Sequence, residues 1–227
     1  MFAMVLAATG VSCLAPSGPI VQKQMRQAPA LAKSTYDSYF ADVLGASDFA
    51  HVKEYANEFG VDYRFVLAII KHESSFNGDA VSDRGAVGLM QLMPVTNAEI
   101  FDALDMEGSE LPKENLRAGI YYVAKLMSLF NDCPERDQMA LALAAYNAGP
   151  SRVYDAQELS AYMGENPHSW SSVGNMLPLL SKRYYSLHQA VWEGGRPRSG
   201  YYGSWRQTAA YVSSTLKTYD TYAALAR

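Results

Sequence analysis

Glu73-Ser74-Ser75-Phe76, followed at short range by Ser82-Asp83-Arg84-Gly85-Ala86-Val87-Gly88-Leu89-Met90-Gln91-Leu92-Met93-Pro94, sets one carboxylate beside a glycine-bent loop. A protonated carboxyl at the wall of a groove can act as a general acid on a leaving oxygen. Gly85 and Gly88 allow positive φ or the close approach of a ligand. Ser82 and Gln91 add neutral hydrogen-bonding groups, the kind that suit hydroxyls and amides. Met90, Leu92 and Met93 offer an apolar floor, or simply fill the core. Taken together, this arrangement suits cleavage of a polymer.

Helical periods must position that acid. Asp62 is placed to cap a helix through Tyr63, Phe65, Val66, Leu67, Ile69 and Ile70, apolar on nearly every face and therefore buried. Glu73 stands three, four and seven residues after Ile70, Ile69 and Val66, so it prolongs an apolar stripe at the C-terminal end of that helix. Desolvation there would favour the protonated form. Upstream, Phe49, Val52, Ala56 and Phe59 mark another helix stopped by Gly60. Downstream, Met139, Leu143 and Tyr146 share a face of an alanine-rich helix that Gly149 and Pro150 terminate, which puts Tyr146 and Asn147 at a helix end. Segments 151–163, 174–192 and 207–224 also read as helical. Between the last two lies a loop whose Tyr201, Tyr202 and Trp205 could stack on sugar rings, and whose Arg196 and Arg198 could meet carboxylates.

The 227 residues, 49% hydrophobic, suffice for one sizeable core. A formal charge of -4 leaves no basic footprint for a phosphate backbone, so nucleic acid is excluded as a partner. The charge-free run from Phe2 to Leu14 is too short to span a bilayer and reads as an export signal over residues 1–13. Val11-Ser12-Cys13 is similar to the end of a lipoprotein signal, with Cys13 the acylated residue, although Gly10 stands where Leu is usual. Residues 14–34 read as a flexible tether, leaving one catalytic domain over 35–227. Cys133 is the only other cysteine and reads as an incidental thiol in a turn.

His72-Glu73-Ser74-Ser75-Phe76 is one residue short of the zinc-protease pattern His-Glu-x-x-His. Phe76 fills the second ligand's place, and His51, His168 and His188 are without ligand spacing, so no metal or other cofactor is expected.

The combined motifs resemble the soluble and membrane-bound lytic transglycosylases. They comprise Glu73-Ser74-Ser75-Phe76, Ser82 with Gly85 to Pro94 and Thr96, Asn115-Leu116 with Gly119 and Tyr122, and Ala145-Tyr146-Asn147-Ala148-Gly149. The resemblance is close from Phe65 to Tyr154 and looser toward the C-terminus. It implies a mainly α, lysozyme-like fold of the goose type, with a short hairpin-like loop beside the catalytic helix. Glu73 would be the acid, and Ser82, Gly88, Gln91, Met93, Tyr146 and Asn147 would border it in a sugar groove, Tyr146 nearest. Where the family often has Glu-Thr followed by Tyr-Val, this chain reads Gln207-Thr208-Ala209-Ala210-Tyr211-Val212, which makes Tyr211 a less direct correspondence.

The implied reaction is cleavage of peptidoglycan between N-acetylmuramic acid and N-acetylglucosamine. Glu73 would serve as acid and then base, closing a 1,6-anhydro ring without water. Retaining and inverting hydrolases need a second carboxylate, and Asp79 and Asp83 read as loop residues. The alternatives are a muramidase that releases reducing ends and a non-catalytic lipoprotein that binds peptidoglycan. The expected unit is a monomer, exported to the periplasm and held at the outer membrane through Cys13.

Overall fold

The computed structural model describes residues 33–105 and 112–225. The signal segment, Cys13 and nearly all of the tether lie outside the described residues. Helix α1 spans Lys33–Leu44, α2 Ala46–Glu58, α3 Tyr63–Glu73, α4 Pro94–Ala103, α5 Pro112–Ser128, α6 Glu135–Ala148, α7 Pro150–Tyr162, α8 Trp170–Met176, α9 Tyr185–Val191 and α10 Trp205–Leu225. No strand forms among the described residues. The hairpin-like loop after α3 carries only two isolated antiparallel bridges, Val81 with Val87 and Val87 with Leu92.

The chain gathers into two compact units, one ending at Tyr122 and taking up Thr215–Arg227, the other spanning Val123–Ser214. The division falls inside α5 and again inside α10.

In the unit that contains Glu73, α3 is the buried element. Phe65, Val66, Leu67, Ala68, Ile69 and Ile70 are all at most 1% exposed. Each large apolar side chain so buried contributes about 1.5–3 kcal/mol relative to leaving it in water. A helix apolar all round must begin at a well-satisfied end. Here the Asp62 carboxylate accepts the Arg64 backbone N–H at 2.9 Å, capping the first turn. The same carboxylate pairs with the Arg64 guanidinium and accepts the Tyr219 hydroxyl at 3.0 Å, which ties α10 to the start of α3. Burial pushes the Asp62 carboxyl up, but these donations outweigh it and hold the group below the usual carboxylate range.

Helix α1 went unread as a period, although Tyr36, Phe40 and Leu44 fall at four-residue steps and all are buried. It begins at Lys33, two residues inside the segment read as tether. Phe40 packs on Phe49, Phe76 and Tyr222, which seats α1 across α2, the turn after α3 and the end of α10.

In the other unit, α6 ends at Ala148 because Gly149 takes φ 90° and Pro150 opens α7. The segment 174–192, read as one helix, is broken. Pro178 lacks an N–H and cannot continue the α8 ladder, so the chain tightens into 3₁₀ turns at Leu177–Leu180 and Lys182–Tyr184 before α9. The loop before α10 is anchored by buried Asp155, which accepts the backbone N–H groups of Arg198 and Ser199 and the Ser199 hydroxyl.

Replacing Asp62 by Ala should lower stability at neutral pH by about 1–2 kcal/mol, read from urea unfolding, with Asp62→Asn retaining part of the loss. The sign follows from the lowered carboxyl. Its contribution is present above the ordinary carboxylate pKa and vanishes as pH falls through the folded value, so the gap between parent and variant should close in acid.

Candidate active site

Glu73 is the last residue of α3, so the fully buried segment before it fixes where its Cα lies. The side chain is half-buried rather than enclosed as the stripe pattern implied, because the helix emerges from the core at its final turn. Ser74 ends the helix, donating its N–H and its hydroxyl to the Ile70 carbonyl. Ser75 and Phe76 then take φ of 52° and 68°, a left-handed pair without glycine. That bend turns the chain abruptly at the end of α3. His72, the neighbour once weighed as a metal ligand, lies 2.9 Å by its Nε2 from the Thr218 hydroxyl and so bridges α3 to α10.

The loop from Ala80 to Leu92 closes on itself. The Ser82 N–H donates to the Ala86 carbonyl, and the Ala86 N–H returns to the Ser82 hydroxyl oxygen at 2.9 Å. Gln91 is buried and sits at φ 48°. Its side-chain amide donates to the carbonyls of Ala80 at 2.8 Å and Gly88 at 2.9 Å, and so clamps both ends of the turn. The sequence reading had set that amide facing a ligand; its nitrogen instead holds the loop. Gly88 takes φ 79°, and a Cβ there would lie 2.2 Å from the Asn115 side-chain oxygen on α5. Gly119 leaves equally little room, because a Cβ would fall 2.5 Å from the Met90 sulfur. The loop therefore rests on α5 through two glycine contacts. Met90 and Leu92 belong to the core, whereas Met93 is half-exposed at the start of α4.

The other unit holds the remaining predicted residues. Tyr146 is half-buried on the last turn of α6, while Asn147 is 5% exposed. Asn147 accepts the Thr208 hydroxyl hydrogen on its Oδ1 at 2.7 Å, and Thr208, wholly buried, is in turn hydrogen-bonded to the Tyr202 hydroxyl. Arg152 lies with its guanidinium 5.0 Å from the Tyr202 ring centre and donates to the Ala148 carbonyl. Tyr202 is thus a core side chain and no stacking platform, unlike the exposed Tyr201. Arg198 pairs with Glu158 at 2.9 Å. Tyr211 is also buried. Thr208 and Arg152 escaped the sequence reading; the Thr in the departed Gln207-Thr208 pair was the available signal.

The geometry has counterparts among known proteins. Residues 50–167, just over half the chain, match the family model described as "Transglycosylase SLT domain". Among solved structures, an inactive Glu-to-Gln mutant of lytic transglycosylase Slt from Pseudomonas aeruginosa aligns at TM-score 0.50 with 28% identity, covering 79% of this chain and 24% of that one. The 70 kDa soluble lytic transglycosylase from Escherichia coli aligns at TM-score 0.53 with 22% identity over 76% of this chain and 23% of its own. The fold is thus the mainly α, lysozyme-like one of these enzymes. The chain belongs to the SLT-domain transglycosylase family. It is 39% identical over 137 residues to membrane-bound lytic murein transglycosylase F of Desulfosudis oleivorans and 36% identical over 172 residues to that of Shewanella sediminis. Those stretches are 59% and 74% of this chain; it spans only 29% and 32% of the relatives' lengths. The family match ends at residue 167, so the Asn147 side of the polar chain lies within it and Thr208 and Tyr211 beyond it.

Gly88→Ala should cost about 2–4 kcal/mol by chemical unfolding, combining the left-handed φ with the Asn115 clash. Adding Asn115→Ala should recover the steric part alone, giving a measurable coupling in the double-mutant cycle. Thr208→Val should cost about 1–3 kcal/mol, because it strands the Asn147 oxygen in the interior and leaves the Tyr202 hydroxyl only the Ser204 carbonyl.

Proposed function

We propose that this chain cleaves the glycosidic bond between N-acetylmuramic acid and N-acetylglucosamine in peptidoglycan, leaving 1,6-anhydromuramyl ends. The observation that carries the reading is the placement of Glu73: one half-buried carboxyl at the end of a fully buried helix, beside a loop rich in neutral polar groups. The carbonyl end of a helix disfavours an added negative charge, which suits a carboxyl that must arrive protonated. The relatives named as lytic murein transglycosylases support the same reaction, and so does the Glu-to-Gln change in the inactive Slt protein.

Glu73 donates its proton to the bridging oxygen as the bond breaks. Asp79 and Asp83, the acids nearest in sequence, are exposed loop residues, which supports a path without a second carboxylate. The sugar's own acetamide then stabilises the cation. Glu73, now ionised, takes the proton of the muramyl 6-hydroxyl, and that oxygen closes the ring. Ser82 uses its oxygen to accept the Ala86 N–H, so its hydroxyl hydrogen is directed to substrate. Gly88 allows a sugar ring to approach the backbone. Met93 supplies apolar contact, and Tyr146, Asn147 and Tyr211 are the other residues we assign to glycan recognition. Gln91 contributes by fixing the loop and offers substrate only its carbonyl oxygen.

The setting we propose is the periplasm, with the protein a monomer tethered to the outer membrane through acylated Cys13. The relatives' description as membrane-bound supports attachment, and no helix among the described residues is long and apolar enough to cross a membrane.

Purified peptidoglycan incubated with the protein should release anhydro-ended fragments by mass spectrometry. Glu73→Gln should lower the rate by about 10²–10⁴-fold, the contribution of a positioned acid, while keeping the parent's unfolding midpoint. Reducing ends in place of anhydro ends would make the enzyme a muramidase. Binding without release would make it a wall-adhering module.

A further inference from the structure

Asp132, Cys133 and His168 lie outside every role assigned above, and their donor atoms all fall within 4.8 Å of one another. The Cys133 sulfur is 3.6 Å from one Asp132 oxygen and 3.7 Å from His168 Nδ1, and His168 Nδ1 is 3.0 Å from the other Asp132 oxygen. Both partners meet the same imidazole nitrogen. In a nucleophilic triad the thiol and the carboxylate would engage opposite ring nitrogens, so this is a convergence of donors on a point. Zinc–ligand bonds of about 2.0–2.3 Å at tetrahedral angles place such atoms about 3.3–3.6 Å apart; the contacts found run from 3.0 to 3.7 Å with both Asp132 oxygens counted, and stay within 4.8 Å when a single oxygen is taken.

We infer that Asp132, Cys133 and His168 form a zinc site of the soft-ligand class, with the fourth position open to water. The site is built from two short segments fixed independently. Asp132 and Cys133 occupy the turn between α5 and α6, where the Cys133 N–H donates to the Phe130 carbonyl at 3.1 Å. His168 sits on the loop before α8. There the Asn166 side chain accepts the His168 N–H at 2.9 Å, and the Gln157 amide donates to the Pro167 carbonyl at 2.8 Å. Asp137 on α6 accepts the Trp170 N–H at 2.7 Å and holds the far end of the loop. A metal ion would therefore staple this loop to the start of α6 with little rearrangement.

Burial and the Asp132 charge push the Cys133 thiol up to about 11, which makes it a poor nucleophile when metal-free. A coordinated metal ion would displace the thiol proton. Half-exposed His168 and exposed Asp132 leave an entry path from solvent. No ligand spacing marks the site in the sequence, because its residues come from adjacent positions 132 and 133 and from 168, across two helices.

The test uses the whole chain, stripped by chelator and titrated with zinc against a competing indicator. One equivalent should bind with Kd at or below about 10 μM, and cobalt(II) should show a thiolate charge-transfer band in the near ultraviolet. Zinc should raise the melting temperature of the parent. Cys133→Ser and His168→Gln should each weaken binding at least about 100-fold, the upper end of what losing even an outer partner of a metal ligand costs, and abolish the melting shift. His168→Gln alters a half-exposed side chain, so it reports on the site even if Cys133→Ser unfolds. Cys13→Ser should bind as the parent does. Binding weaker than about 10 μM, absence of the cobalt band, indifference to the Cys133 and His168 substitutions, or dependence on Cys13 would each overturn the assignment.

Discussion

Two carbonyls, those of Ala80 and Gly88, converge on the single side-chain amide of Gln91, and the site beside Glu73 depends on that convergence. Without a strand ladder, the loop between α3 and α4 has only two isolated bridges to hold its shape. Its backbone visits left-handed φ at Gly85, Gly88 and Gln91. Gln91 is the costly member, since an L side chain is disfavoured there by about 1–2 kcal/mol. Two hydrogen bonds, one buried and one partly buried, at about 0.5–1.5 kcal/mol each, offset this. The strain and the clamp are thus one device: the φ that glycine would accept freely is imposed on a residue whose amide is needed on the inner side of the turn.

The glycine contacts with α5 extend the same logic. Gly88 leaves room for Asn115, and Gly119 for Met90, so loop and helix touch at backbone distance. Among the described residues the buried Asn115 amide makes no hydrogen bond. A close contact of this kind is stiff. It fixes the loop on α5 much as Asp62 and Tyr219 fix α3 on α10, with the carboxylate of Glu73 carried at the end of the element between them.

Helix existence was legible wherever the apolar period was long. The α3 segment, its Asp62 cap, the stop at Gly149 and the start at Pro94 follow from patterns that local chemistry enforces. The break at Pro178 was missed, because the apolar residues flanking the proline extend the helical period across it. What could not be read was the direction of polar side chains. Gln91 and Asn147 stand in motifs that suggest ligand contact, yet their nearest acceptors and donors are protein atoms 11 and 61 positions away. Sequence spacing carries no information about such pairings. Equally, the half-burial of Glu73 reflects where α3 leaves the core, which the stripe on its own could not fix.

The chain of polar groups at Asn147 joins the end of α6 to the first turn of α10. Thr208 gives its hydroxyl hydrogen to the Asn147 oxygen, and the Tyr202 hydroxyl, hydrogen-bonded to Thr208, also reaches the Ser204 carbonyl at 3.4 Å. The Asn147 amide is placed with its oxygen toward the Thr208 hydroxyl and its NH₂ turned away from it. Asn147 is thus tied to a threonine outside the span matching the family model. The hydrogen bond to Asn147 comes from Thr208, the residue after Gln207. A carboxamide in place of a carboxylate at 207 removes a charge near the start of α10, while Thr208 keeps its bond to Asn147.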